Sequence, residues 1–493
     1  NVDFNVTNST TVIVRMYGQF DDYQGPIGGF NENGNPISGG ETTYRNALRA
    51  NPVMFPAVYP AEKLPFIEHP LFGSGQTRNS DLSLSSTMYV NPYAEMVKGY
   101  QVYKTSNLMP QLEIKQDFDW ITPGLSARAM GYLRRVSFYR VNRSYVPFYY
   151  AANINPQDQS YSLVPLNDGS ANSLAPVGRE FLDFNQDTKN IDSRLWVEGS
   201  INYNRLFKDK HAVGGMLVSY LSTYETADEN DVIRSLPSRN VGVSGRFSYG
   251  FADKYLAEFN FGYNASERFD ADNRWGFFPS FGLGYRISEE PFFEPIRSVV
   301  NNLKFRGTYG LVGNDAIGNV NDRFFYLSNV NLNDGNYGAS FGRNDGAAVY
   351  SRPGVSISRY ANPNITWEQS RQINLGLDWG VFNSIEWIVD AFKTERTNIL
   401  QPVSNIDNAS GLMAVPMSNY GRVNTQGLDM SINYRRSFSP NFWMDARGTF
   451  TYATSEIIKV DELPYPSSLS HLSRRGYSVN QAWGYIAERL FID

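Results

Sequence analysis

Polar and apolar residues alternate along this chain with a period of two. In the stretch NPNITWEQSRQINLGLDWGVFNSIEWIVDAFKTERTNIL, residues 362–400, Ile373, Leu375, Leu377, Trp379 and Val381 share one face, and Gln372, Asn374, Gly376, Asp378 and Gly380 the other. Successive side chains of a strand point to opposite faces, so this pattern predicts a two-faced β-strand. After Phe382-Asn383-Ser384 a second run puts Ile385, Trp387, Val389 and Ala391 on one face; its other face mixes Glu386 and Asp390 with Ile388 and Phe392.

The pattern recurs. Val241, Val243, Phe247, Tyr249 and Phe251 oppose Gly242, Ser244, Arg246, Ser248 and Gly250; Phe281, Leu283, Tyr285 and Ile287 oppose Gly282, Gly284, Arg286 and Ser288. Roughly 14 such segments match the period-two template. Many outrun the strands of soluble proteins, which average about 5–6 residues. Short turns are predicted at Asn8 to Thr10, Trp120 to Gly124, Phe207 to Lys210, Ala252 to Lys254, Phe382 to Ser384 and Ser437 to Asn441. They alternate with long loops at about 21–100, 144–191, 226–238, 267–275, 312–365 and 400–421. In an antiparallel meander this alternation puts every short turn at one end and every long loop at the other, as in outer-membrane barrels. Trp120, Phe207, Phe251, Tyr255, Phe382, Phe438, Phe442 and Trp443 cluster at the short turns and predict an interfacial aromatic girdle there. The stretch NPYAEMVKGYQ predicts a short helix in the first long loop. No boundary divides the chain, so residues 1–493 are read as one all-β region: a transmembrane antiparallel β-barrel with long extracellular loops and short periplasmic turns.

Composition sharpens this picture. Aromatics reach 15%, in line with a girdle, and charged residues are 19%, below the roughly 25% of soluble domains. The net charge of −5 and the lack of a basic run give no nucleic-acid footprint. There is no cysteine, hence no disulfide or thiolate metal site. No stretch approaches the roughly 18 apolar residues of a membrane helix. A mean hydropathy of −0.40 is compatible with a barrel, whose strands alternate and whose loops are polar.

Several blocks resemble the barrel of SusC/RagA-type TonB-dependent outer-membrane transporters of Bacteroidetes: NRWGFFPSFGLGYRISEEPFF (273–293), LKFRGTYGLVGN (303–314), NYGRVNTQGLDMSINYR (419–435), LRANPVMFPAVYP (48–60) and the terminal WGYIAERLFID. The opening stretch resembles the family's segment of an Asn-Pro, a Trp-Glu and a strand ending in Gly-Phe-Phe, with Val381 in place of the first Phe; Thr425 stands where the family more often has Asn. The resemblance implies a roughly 22-stranded barrel around an N-terminal plug. About 14 segments fall short of that, and the first residues, Asn1-Val2-Asp3-Phe4, already alternate. An interior piece is therefore expected, without plug, TonB-contacting segment or last strands. It further implies import of oligosaccharides or peptides with a SusD-like surface lipoprotein as lid, energised by TonB through the plug, in contact with outer-membrane lipids. A non-transporting barrel acting as scaffold in an outer-membrane assembly is the alternative; a soluble all-β enzyme or adhesin fits the alternating connections less well.

Catalytic and cofactor signatures are not found. His69, His211 and His471 have no ligand spacing, and HExxH, GxSxG and P-loop motifs are missing. Asp183, Asn185 and Asp187 match the first positions of a calcium loop, but Thr188 replaces its glycine and Arg194 its final Glu, so a solvated polar loop is the favoured reading. Glu258, Glu267, Asp270 and Asp272 invite comparison with a glycosidase dyad; a polar strand face and a loop explain them more simply. The loop aromatics Phe324, Phe325, Tyr326, Tyr337 and Tyr350 are candidate substrate contacts, with packing between loops as the competing role.

Overall fold

Fourteen strands pair in one antiparallel meander in the computed structural model, which describes every residue except 52, 82, 228–231, 319–322, 343–349, 404, 487–488 and 490–493. Part of the terminal WGYIAERLFID block thus lies outside the described residues. The strands are β1 (Val2–Asn5), β2 (Thr10–Gly25), β3 (Gly99–Asp117), β4 (Leu125–Ser144), β5 (Asp183–Phe207), β6 (His211–Thr226) and β7 (Ser238–Phe251). They continue as β8 (Tyr255–Ser266), β9 (Trp275–Arg286), β10 (Val300–Asn314), β11 (Glu368–Val381), β12 (Ile385–Pro402), β13 (Met417–Ser439) and β14 (Phe442–Lys459). Among the described residues each pairs only with its neighbours in this order, and β1 and β14 each have one partner in the sheet.

The apolar face stands open. Leu375 is 64% exposed and Leu283 69%, and Met16, Phe247, Phe281 and Phe450 are likewise exposed on the same face. A soluble protein would cover so wide an apolar surface; here it is the face that meets hydrocarbon. The register supplies the tilt. One row of paired residues runs from Leu125, the first residue of β4, through Tyr203, Gly215, Phe247, Phe259, Phe281, Tyr309, Ile373, Lys393 and Gln426 to Thr454. Thr454 lies about 12 residues beyond the start of β14, so the row climbs that far over about 10 strand steps. At about 3.3 Å per residue and about 4.8 Å per strand this is a tilt of about 40°, within the range for membrane barrels. With that tilt the outward run Val241 to Phe251 of β7 rises about 25 Å, the height of an outer-membrane apolar band. The row turns polar at Lys393, near the top of that band, and stays polar at Gln426 and Thr454.

The short-turn end carries an aromatic ribbon. Phe207, His211, Phe251, Tyr255, Tyr285 and Phe305 follow one another across β5 to β10. Tyr255 and Tyr285 stack at 5.0 Å, and Trp379 and Trp387 at 5.9 Å. Three of the tight turns use paired left-handed residues, Lys208-Asp209, Ala252-Asp253 and Phe382-Asn383, the arrangement that matches the twist of a hairpin. Gly124, at φ +86°, closes the turn before β4, where a Cβ would lie 2.0 Å from the Asn204 carbonyl oxygen.

Three expectations need correction. First, β9 ends at Arg286; Ile287 and Ser288 enter a 3₁₀ turn, Ile287–Glu289, followed by another at Pro291–Ile296. This connection sits at the short-turn end and is longer than the rest there, because Glu290 gathers Lys254 (3.0 Å), Tyr255 (2.9 Å) and Tyr285 (3.4 Å) under the girdle. Second, the calcium-loop match at Asp183 to Arg194 is strand: it pairs with β4 from Asp183↔Ser144 onward, so the chain is extended where such a loop must coil. Third, the long loops hold more structure than expected. Besides the predicted helix, seen at Pro92–Val97, there is a helix at Gly39–Arg49 and a hairpin of Asn329–Phe341 with Tyr350–Arg359.

Candidate lumenal wall and extracellular mouth

The polar face holds its charges in pairs that the register assembles from different strands. Glu113 on β3 is only 5% exposed; it is bonded by Arg15 on β2, by Arg128 on β4 at 3.0 Å, and approached by Lys115 at 3.5 Å. Arg128 also meets Glu198 on β5 at 3.2 Å, and the Trp196 indole donates to Glu198 at 3.3 Å. Further round, Arg306 on β10 bridges Asp378 on β11 (2.9 Å) and Asp390 on β12 (3.0 Å). Gly376 makes room for this guanidinium, since a Cβ there would lie 2.7 Å from the Arg306 Cζ. Buried charge is tolerated only when paired and hydrogen-bonded, and these groups are. Sequence reasoning could place each residue on the polar face but not the partners, which depend on register.

Three of the four carboxylates considered as a glycosidase dyad accept hydrogen bonds from other groups. Glu258 binds Arg246 (2.6 Å) and Asn260 (2.7 Å), Glu267 accepts from the Arg239 backbone N–H (3.1 Å), and Asp270 accepts from that of Asp272 (3.4 Å). The histidines are dispersed: His69 lies between Glu180 (3.2 Å) and Tyr150 (2.9 Å), and His211 meets Tyr249 (2.8 Å). Among the described residues no group of three or more His, Cys, Asp or Glu side chains could hold a metal.

At the long-loop end, two knots of loop residues build a mouth. The segments 26–98 and 145–182 share a small sheet in the order Tyr161–Pro165, Tyr149–Ile154, Leu71–Gly73, Val58–Tyr59. Buried amides fasten it. Asn91 donates to the carbonyls of Ala57 and Gly73, both at 2.8 Å; Asn167 accepts from the Tyr149 N–H at 2.9 Å and donates to Pro147 at 2.9 Å. Burial, then the neighbouring Glu95 carboxylate, pushes the Tyr149 hydroxyl well above its ordinary pKa. The second knot packs Phe269, Phe278, Ile317, Phe325, Ile365 and Trp367 together, with Leu400 and Met417 against them. Asn419 ties it to β12 and β13, accepting from the Thr366 N–H at 2.8 Å and donating to the Asn398 carbonyl at 2.8 Å.

This packing separates the five loop aromatics. Phe325 is 2% exposed inside the second knot, where its ring packs loop against loop rather than facing the mouth. Phe324 stands edge-on to Tyr326 at 6.1 Å, with Arg323 4.9 Å from its ring centre. Tyr337 and Tyr350 are exposed on the Asn329–Arg359 hairpin, and the Tyr350 hydroxyl accepts from Arg352 at 2.7 Å.

The geometry agrees with comparison to known proteins. The family model described as TonB dependent receptor-like, beta-barrel, matches residues 14–489. The chain belongs to the TonB-dependent receptor family. The receptor is 31% identical over 264 residues to TonB-dependent receptor SusC of Bacteroides thetaiotaomicron, covering 52% of this chain and 25% of SusC. It is 26% identical over 356 residues to TonB-dependent receptor P39 of Formosa agariphila, covering 67% of this chain and 31% of that protein. Among solved structures, the RagAB peptide importer in its closed-closed state superposes with a TM-score of 0.59 at 16% identity, covering 96% of this chain and 48% of that one. The chain thus spans a quarter to a third of these curated relatives. As a TonB-dependent receptor barrel, it lies in the outer membrane with its apolar face to lipid, its short turns periplasmic and its long loops outside.

Proposed function

We propose that this chain forms wall and mouth of a nutrient importer that takes up oligosaccharides or peptides under a SusD-like surface lipoprotein, with TonB acting through a plug. The observation that carries the reading is a folded extracellular mouth of aromatic and amide side chains above a polar, charge-paired wall, in a chain of this family. Phe324, Tyr326, Tyr337 and Tyr350 are the proposed substrate contacts, with Phe325 holding the loop that presents two of them. The N–H and C=O groups at the outer edges of β1 and β14 need partners in hydrocarbon, and further strands of a roughly 22-stranded barrel would supply them.

The test uses the full-length receptor in its native membrane. Cells with and without the receptor are given labelled oligosaccharides and labelled peptides, with and without a proton uncoupler. Energy-dependent uptake of one class that vanishes with the receptor is expected. Loss of an outer-membrane assembly with unchanged uptake of both classes would favour a scaffold role instead.

A further inference from the structure

We propose that the outward face of β11 to β13 carries a binding site for a phosphorylated glycolipid of the outer leaflet. Three cations stand at the top of this otherwise lipid-facing surface, Arg371 on β11, Lys393 on β12 and Arg422 on β13, with Lys459 on β14 above them, paired with Arg422. Lys393 is row-mate to Ile373 and Gln426, so it points outward with them. Two carboxylates share the patch, Glu395 and the exposed Glu456. Glu395 is bonded by Arg422 and lies 3.4 Å from Arg371, so it fixes two guanidiniums side by side while leaving most of their donors unused. The Lys459 ammonium rests 3.8 Å from the centre of the Tyr420 ring. Lys393 forms no ion pair among the described residues and is exposed.

Height selects the ligand. Lys393 lies eight residues above Ile385, the periplasmic start of β12, and Arg371 ten above Val381. At the tilt derived from the register these are heights of about 20 and about 25 Å, the upper edge of the apolar band. Cations at this level meet the headgroups of the outer leaflet, and phosphate is the anion there that matches a pair of guanidiniums. Immediately below, the same face is hollowed. Ala257, Gly307 and Ala391 are small, Leu283 and Leu375 stand between them as ridges, and the hollow measures about 940 Å³. It begins at Ala391, the next outward residue below Lys393. An amphiphile with its phosphate on the Arg371–Lys393–Arg422 triangle can therefore lay an acyl chain in this hollow.

Full-length receptor is extracted from outer membranes in mild detergent and its bound lipid read by native mass spectrometry. Delipidated receptor is then titrated with bisphosphorylated lipid A, its dephosphorylated counterpart and phosphatidylglycerol. Each juxtamembrane cation contributes about fivefold to anionic-lipid affinity, so R371Q/K393Q/R422Q should bind the phosphorylated lipid about 100-fold more weakly. Arg436→Gln, an outward cation at the periplasmic end, should bind like the wild type. Lys393→Met alone, whose side chain suits the lipid face, should lose about fivefold and guards against misfolding of the triple variant. Unchanged binding by Lys393→Met and the triple variant, equal affinity for the dephosphorylated lipid, or preference for phosphatidylglycerol would overturn the assignment.

Discussion

Placing an arginine at Leu375 tests the orientation of the whole sheet. Leu375 points to the apolar face and lies six residues above Val381, at the periplasmic end of β11. With a tilt of about 40° that is about 15 Å up a band about 25 Å tall, close to its midplane, where an arginine on the lipid face costs about 2–4 kcal/mol. Two further sites on the same strand make the experiment internally controlled. Trp379 faces the same way but sits only about 5 Å above the turn, so Trp379→Arg should cost about 0–1 kcal/mol in charge transfer, plus the lost stacking on Trp387. Asn374 faces the polar side, paired with Thr308 and Phe392, and Asn374→Arg should fall within about 0.5 kcal/mol of the wild type. Urea titration of the full-length receptor in lipid vesicles, supported by the heat-resistant fraction in native membranes, measures all three. A Leu375→Arg loss of 2 kcal/mol or more is about 30-fold or more in the folded-to-unfolded ratio. Equal losses at 374 and 375 would refute the two-faced reading; equal losses at 375 and 379, after the stacking loss measured with Trp379→Leu is subtracted, would refute the derived depth.

Other outcomes follow from the wall and the loops. Arg306→Met should leave Asp378 and Asp390 facing each other without their cation and destabilise by about 1–3 kcal/mol, discounted for a wet lumen; restoring most of it with Asp390→Asn in the same background would show that the carboxylate pair is the cause. Phe325→Ala should open the second knot by about 3–5 kcal/mol locally, seen as faster protease cleavage between β10 and β11 while the barrel stays heat-resistant. Tyr149 titrates above the roughly 10 of an unfolded tyrosine, so its stabilisation is present at neutral pH and is lost as pH rises past about 10; Tyr149→Phe should flatten the rise in proteolysis of the first two long loops over that range. Deleting Asn333 to Gly342, most of one strand of the exposed hairpin, should weaken co-purification of the proposed lipoprotein lid without lowering barrel stability.

The alternation was readable wherever a strand crosses hydrocarbon, because lipid demands an apolar residue at every second position there. It fell silent where strands continue into water. Asp183 to Asn190 extends β5 beyond the band and has Phe184 as its one apolar residue, so its sequence reads as a loop. The Asn329–Phe341 strand, NVNLNDGNYGASF, likewise has no apolar face to betray it. Phe325 shows a different limit: its neighbours in sequence, Phe324 and Tyr326, lie outside the second knot, and its role is fixed by the cluster it shares with Phe269, Ile365 and Trp367, which are distant in the chain. The ion pairs failed to appear for the same reason, since Arg306, Asp378 and Asp390 are far apart in the chain and meet only through register.

A wall in which each strand touches only the strands before and after it in sequence has a consequence for how such a protein changes over time. Each strand finds its place beside the next strand along the chain, however long the loop between them, so a hairpin can be duplicated or lost with one repair of pairing at the seam. The loops, hung on the tops of these hairpins, can be exchanged or lengthened without rewiring what lies beneath. Knots such as the one around Phe325 then mark where neighbouring hairpins have become committed to one another, and a new specificity is most easily grafted on the exposed far part of the Asn329–Arg359 hairpin, which meets that knot at its base, where Arg359 lies 5.6 Å from the centre of the Phe325 ring.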